Sequence, residues 1–262
     1  MSIETLEAVC PNSGMIPSMR ELWKEAFGDT DEAIDGFFRT AFDSKRCRVI
    51  AEGNAVLGAL YIFDCLLENR KIAYIYAVAT RKKSRGQGIC GVLMKDTREY
   101  LIQKGYSGAI LVPSEPSLFE FYKRFGYETC SDIGELETIA AENPVAINKI
   151  EKSEFADNRR LLLPKNSVIQ ENENIDFLAE YASFYKGDGF LLAAHISDGK
   201  LFGTELLGNV GLSPAILRAF GCEKGVFRVP CSREPSAKRR NFAMYLGFDN
   251  APAPQYFGLA FD

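Results

Sequence analysis

Apolar and charged residues alternate at helical spacing over Met19–Phe27 and Asp31–Phe42, with Gly28 between them, so the chain is predicted to open with two helices. Three strand-like runs follow: Cys47–Ala51, Ala55–Asp64 and Ile72–Thr80. Glu52-Gly53-Asn54 is a turn between the first two. Gly86–Lys104 reads as a helix with Ile89, Val92, Leu93, Tyr100 and Leu101 on one face and Gly105 as its stop. Gly108–Val112 is wholly apolar, the mark of a strand buried on both faces. Pro116–Phe125 is a further helix, with Pro116 in its first turn, Ser117 and Glu120 placed for a capping box, and Gly126 at its end. This order predicts an α/β (α+β) core with a βαβ crossover.

The aperiodic stretch Ala140–Asn148 predicts a division into residues 1–140 and 141–262. Beyond it the pattern predicts a helix over Ile175–Tyr185, strands over Phe190–Ile196 and Leu201–Leu207, and a helix over Pro214–Phe220. A strand over Val226–Pro230, a helix over Ala237–Leu246 and a strand over Tyr256–Phe261 complete it. The element order nearly repeats that of the first half. Phe121-Tyr122-Lys123-Arg124-Phe125-Gly126-Tyr127 also has an echo in Phe242-Ala243-Met244-Tyr245-Leu246-Gly247-Phe248, which suggests an internal duplication.

Composition narrows the classes. The 262 residues suit one large domain or two small ones. Lys and Arg number 31 against 35 Asp and Glu, a net charge of −4, which argues against a nucleic-acid binder working by bulk charge. No apolar run reaches the roughly 18 residues of a membrane helix. The N-terminal MSIETLEAVC carries no secretion pattern, so a cytoplasmic location is expected. The seven cysteines are widely spaced with no C-x-x-C pair, so neither a metal site nor a disulfide framework is expected. The sole histidine, His195, sits in an apolar run and reads as structural.

The segment most suggestive of chemistry is Tyr74–Gly91, a strand entering a basic turn, a glycine-bearing loop and a helix. Glycines let the backbone approach a phosphate, and the N–H groups of a helix start point at it. Arg81, Lys82, Lys83 and Arg85 add positive charge. No Walker Gly-Lys-Ser/Thr follows, and a dinucleotide fingerprint lacks its acidic strand end. On these residues alone, a phosphate cradle and an ordinary basic loop stand level.

Arg85-Gly86-Gln87-Gly88-Ile89-Cys90 resembles the Arg/Gln-x-x-Gly-x-Gly/Ala signature of the Gcn5-related N-acetyltransferase (GNAT) superfamily, with Cys90 departing from the usual Gly or Ala. The strand Gly108–Val112 and the following Phe121–Tyr127 motif resemble its second landmark. The resemblance covers about the first 140 residues. It implies the GNAT acyl-CoA N-acyltransferase fold, a mixed twisted sheet flanked by helices, followed by a smaller degenerate GNAT-like domain. It further implies that the backbone of Val78, Ala79 and Thr80 bonds the acetyl-pantetheine arm of acetyl-CoA. The N–H groups of Arg85, Gly86, Gln87, Gly88, Ile89, Cys90 and Gly91 would hold the pyrophosphate. Tyr122 would protonate the departing thiolate, its alternative being a core aromatic on the face of Leu118, Phe119 and Phe125.

Ile72–Thr80 has no carboxylate to act as general base; Glu115 is one candidate, against a solvated acid at a helix start. Pro113-Ser114-Glu115, the Tyr122–Tyr127 motif and a GNAT-like second half are together similar to the enhanced-intracellular-survival type of aminoglycoside acetyltransferase. That type has tandem GNAT-like regions and a chain-terminal carboxylate as base, so Asp262 is the second candidate. Cys90 offers a covalent acetyl-cysteine route, against a small residue packing beneath the loop. The second half has Ala243 opposite Tyr122 in the echo and Gly208-Asn209-Val210-Gly211 in place of the signature. It is expected to wall the acceptor groove or to mediate a homodimer. The resulting expectation is direct acetyl transfer from acetyl-CoA to a primary amine of a small molecule or peptide. The alternatives are a non-catalytic acyl-CoA-binding or regulatory module and a tandem-GNAT aminoacyl transferase. No nucleic-acid or membrane partner is expected.

Overall fold

Residues 6–231 and 237–261 are described by a computed structural model, in which the chain forms two compact units. The first comprises Met1–Glu128 and Met244–Pro252, the second Thr129–Ala243 and Ala253–Asp262. The sequence reading placed the division at 140/141; in the structure the chain crosses between units at the start of the strand that contains those last residues before 140, and crosses again near 243 and 252.

In the first unit α1 (Ile16–Phe27) takes Pro17 in its first turn and stops at Gly28, whose left-handed backbone (φ 76°) lets its N–H donate to Lys24 O. Thr30 caps α2 (Asp31–Thr40) by accepting the Ala33 N–H at 3.2 Å. Three antiparallel strands follow: β1 (Cys47–Glu52), β2 (Ala55–Leu67) and β3 (Arg70–Thr80). On one face of them Trp23 of α1 sits at the centre of an aromatic cluster, with ring centroids 4.7 Å from Phe37, 5.0 Å from Tyr61 and 5.7 Å from Tyr76. The other face, carrying Leu60, Ile62, Ala73 and Ile75, packs on α3 (Ile89–Gln103) through Leu93, Met94 and Leu101. β4 (Gly108–Leu111) is buried along its whole length and runs parallel to β3. α4 (Pro116–Lys123) joins the same core. Met244–Gly247 pair antiparallel with β4.

The second unit takes up β5 (Glu128–Ile139), β6 (Asn148–Ile150), α5 (Lys152–Leu162), β7 (Val168–Gln170) and α6 (Glu173–Leu178). It continues through β8 (Ser183–Gly187), β9 (Phe190–Ser197), β10 (Lys200–Gly208), α7 (Ser213–Ala219), β11 (Lys224–Pro230) and β12 (Lys238–Gly247), the last four residues of which belong to the first unit. Its plan repeats the first: β8, β9 and β10 are antiparallel, and β11 returns parallel to β10 through α7. β5 then pairs antiparallel with β11 from Lys224↔Ile139 to Pro230↔Ile133. Each unit's sheet is thus extended by a strand from the other half of the sequence.

Four expectations change. Ala237–Leu246 is strand β12, not a helix. Phe242, Ala243 and Met244 are all fully buried, so the strand is apolar on both faces and has no alternation to betray it. The echo of Phe121–Tyr127 therefore compares a helix with a strand, and Ala243 is not the counterpart of Tyr122; the repeat lies in strand order. Ile175–Tyr185 divides into the end of α6 and the start of β8. Tyr256–Phe261 is extended but holds only a bridge from Tyr256 to Ser167. His195 is exposed and stacks on Phe202 across the β9–β10 ladder, centroids 5.3 Å apart, and partial desolvation lowers its pKa. Among the described residues no helix is long and apolar enough to cross a membrane.

Candidate active site

The parallel ladder of β3 and β4 has only three pairs, Ile72↔Gly108, Ala73↔Ala109 and Tyr74↔Ile110. β3 then runs on to Thr80, and the two strands form a fork. A bulge marks the opening. Tyr61 of β2 faces Tyr76 and Ala59 faces Ala79, so Ala77 and Val78 together oppose Leu60. Ala77 holds a left-handed backbone (φ 48°), a conformation costing a side-chain-bearing residue on the order of 1–3 kcal/mol and typical of functional sites. Ile72–Ile75 are buried, whereas Tyr76, Ala77 and Val78 are half-buried. Val78, Ala79 and Thr80, the three residues to which the pantetheine contact was assigned, lie on β3 beyond its last pair with β4.

At the end of β3 the backbone turns through Lys82–Ser84 into an extended Arg85 and two glycines, Gly86 (φ 76°) and Gly88 (φ 77°). Glycine adopts both without the penalty a side chain would carry. Gly88 is the N-cap of α3, and no side chain caps that end. The first intrahelical bond runs from the Val92 N–H to Gly88 O at 3.1 Å. Ile89, Cys90 and Gly91 therefore present N–H groups that the helix cannot satisfy, at its positive end. These donors, with the exposed Lys82, Lys83 and Arg85, fit a diphosphate.

Arg81 does not join them. Its guanidinium donates to Ser18 O at 2.9 Å, Val56 O at 3.1 Å and the Glu21 and Glu25 carboxylates at 3.2 Å. Glu25 also accepts the Lys82 N–H at 2.6 Å, and this bond, with Arg81, lowers its pKa. Arg81 ties the loop to α1 rather than offering charge to a ligand. Arg85 folds back, its Nε donating to Thr80 O at 3.2 Å, and Gln87 Nε2 donates to Lys83 O at 3.2 Å, so the loop is braced from within.

Tyr122, near the end of α4, is 7 % exposed. Burial raises the pKa of its phenol, and nearby Cys90 adds to the rise. The group stays protonated through the neutral range, the form a proton donor needs. It also packs in the core, so the donor and core-aromatic readings meet in one residue. Burial pushes the Cys90 thiol up to about 11, with Arg124 only partly opposing. Such a thiol is not an activated nucleophile, which removes the ground for the covalent route. Glu115 is exposed at the N-cap of α4. Ser117 bonds to Glu115 at 3.4 Å and no side chain caps the helix, so the expected capping box is not formed. Glu115, extended at φ −136° and ψ 150°, precedes the helix and stands seven residues before Tyr122. Asp262 lies outside the described residues. The sequence reading missed the Ala77 bulge, for which the local sequence gives no signal, and the Arg81–Glu25 tie, whose partners are 56 positions apart.

The acetyltransferase (GNAT) domain model matches residues 11–130. No curated protein matches the chain. Among solved structures it is similar to a GCN5-related N-acetyltransferase from Kribbella flavida, with 18 % identity and a TM-score of 0.71 over 92 % of this chain and 70 % of that one. Eis1 from Mycobacterium abscessus has 12 % identity and a TM-score of 0.68 over 93 % and 73 %. A tandem GNAT protein from the clavulanic acid biosynthesis pathway has 12 % identity and a TM-score of 0.58 over 94 % and 100 %. At these identities the likeness is one of fold.

Proposed function

Because the chain carries a GNAT-family acetyltransferase domain in residues 11–130, we propose that its first unit moves an acetyl group from acetyl-CoA directly to a primary amine of a small molecule or peptide. The carrying observation is the succession of fork, Ala77 bulge and doubly glycine-turned helix start on one continuous stretch of chain. The fork edge at Val78–Thr80 gives main-chain groups to the pantetheine arm. The N–H groups from Arg85 to Gly91 take the diphosphate.

In the reaction the amine nitrogen attacks the thioester carbonyl, a C–N bond forms and the C–S bond breaks. Tyr122 hands its proton to the leaving sulfur, which departs into an apolar surround where a bare thiolate is costly. The amine's proton goes to a carboxylate. Glu115, exposed at the head of α4, and the main-chain carboxylate of Asp262 are the two groups proposed. The second unit carries no signature between β10 and α7: Asn209 Oδ1 caps the short turn Val210–Leu212 by accepting the Gly211 N–H at 3.1 Å, and Pro214, which has no N–H to offer, takes the first turn of α7. We assign it no transfer of its own.

Titration calorimetry with acetyl-CoA tests the reading. Binding by the wild type that Gly88→Glu abolishes is the expected result, because the variant sets a negative charge in the cradle and forces a side chain into a left-handed backbone. A folded wild type that binds no acetyl-CoA would overturn it.

A further inference from the structure

The second unit repeats the fork and fills it. β10 and β11 stay parallel through Leu201↔Gly225, Phe202↔Val226 and Gly203↔Phe227, then part. β10 also bulges past its last parallel pair, with Thr204 inserted between Gly203↔Ala194 and Glu205↔Ala193, one residue beyond that pair where β3 bulges three beyond its own. Leu201, Leu206, Phe227 and Val229 join the apolar cluster of α7. Glu205 and Arg228 alternate with them and so lie on the opposite face, one on each prong.

The segment Tyr256–Phe261 is held by both prongs. Tyr256, Phe257, Leu259 and Ala260 are all buried to at least 97 %. The Tyr256 hydroxyl donates to Glu205 Oε1 at 2.9 Å. Arg228 Nη1 donates to Gly258 O at 3.1 Å and to Ala260 O at 3.4 Å. Gln170 Nε2 donates to Leu259 O at 2.6 Å, and the Val168 N–H to Tyr256 O at 2.9 Å. Glu205 is itself fixed by Arg159, which donates to both its oxygens at 2.6 and 3.0 Å. A methyl group on Gly258 would land on Glu205 Oε1 and the Tyr256 hydroxyl.

Main-chain carbonyls read by side-chain donors, apolar anchors and one position closed to any side chain are the means by which an extended peptide is recognised. We infer that the fork of the second unit is a peptide cleft whose ligand is the chain's own segment 256–261, and that this occupant shuts the fork to ligands from solution. The inference uses the second unit alone and stands whether or not the first unit transfers acetyl groups.

The test uses the full chain, its Gly258→Ala variant and a fluorescein-labelled peptide of residues 251–261. In the wild type a tethered occupant has an effective concentration of about millimolar order, so labelled peptide is not taken up. In Gly258→Ala the segment is displaced. Its amides then exchange at least about tenfold faster by hydrogen–deuterium mass spectrometry, and the wild-type peptide binds by anisotropy. Tyr256→Phe removes the bond to Glu205 without adding bulk, and accelerates exchange of the same amides about tenfold if Gly258→Ala fails to fold. Unchanged exchange in the variants, or equal peptide uptake by wild type and Gly258→Ala, overturns the inference.

Discussion

Replacing Tyr122 by Phe separates chemistry from stability, because the hydroxyl has no hydrogen-bond partner among the described residues while the ring packs in the core. A hydroxyl without a protein partner contributes little to folding, so Tm should shift by no more than a degree or two, of the order expected for a few tenths of a kcal/mol. General acid catalysis contributes roughly 10²- to 10⁴-fold, or about 3–5 kcal/mol of barrier. The rate of CoA thiol release, followed with a chromogenic disulfide, should fall by that factor with acetyl-CoA affinity unchanged. The wild-type pH profile checks the same group. Burial places the phenol above its ordinary value of 10, so its proton is retained at every pH below that, and Tyr122 imposes no alkaline decline before about pH 10. Full activity in Tyr122→Phe, or equal losses of turnover and Tm, would refute the assignment and leave Tyr122 a core aromatic.

Cys90→Ala should keep turnover within about twofold, since a thiol pushed up to about 11 is no nucleophile at neutral pH; a loss beyond a hundredfold with binding intact would restore the covalent route. Glu115→Gln and a short extension after Asp262 divide the base role: the change that removes turnover but spares acetyl-CoA binding names the base, and if neither does, both assignments fall. Arg159→Met strands Glu205 as a buried charge, both side chains being 1 % exposed in the wild type, and should cost about 3–5 kcal/mol in a denaturant titration. The double variant with Glu205→Met should recover most of that loss; a single variant as stable as the wild type would contradict it.

The first half was readable because its elements obey local rules. Gly28 and Gly126 stop helices in the left-handed backbone, Pro116 starts one, and β1 to β4 are largely apolar runs between turn residues. The second half defeated the same rules where burial is two-sided or polar. Phe242–Tyr245 is apolar without a break because β12 is covered on both faces, and its run of Phe, Ala, Met, Tyr and Leu suits a helix equally well. α5 escaped notice because its buried residues are Phe155 and Arg159; an arginine in the core is intelligible only once Glu205, 46 positions later, is seen beside it. In the site, the glycine loop and Tyr122 stand out in sequence. The Ala77 bulge does not, since its register is set by pairing with β2, and Arg81 looked like a ligand contact until its partners on α1 were placed.

The exchange of strands between the two halves of the sequence bears on how the protein is born. Residues 1–128 leave the ribosome long before Met244–Gly247, the strand that pairs with β4. At about 5–20 residues per second the wait is roughly 6–25 s, during which β4 has an unpaired edge. The nascent chain thus carries that open edge throughout the interval, and a gene fragment ending at residue 140 would keep it open for good.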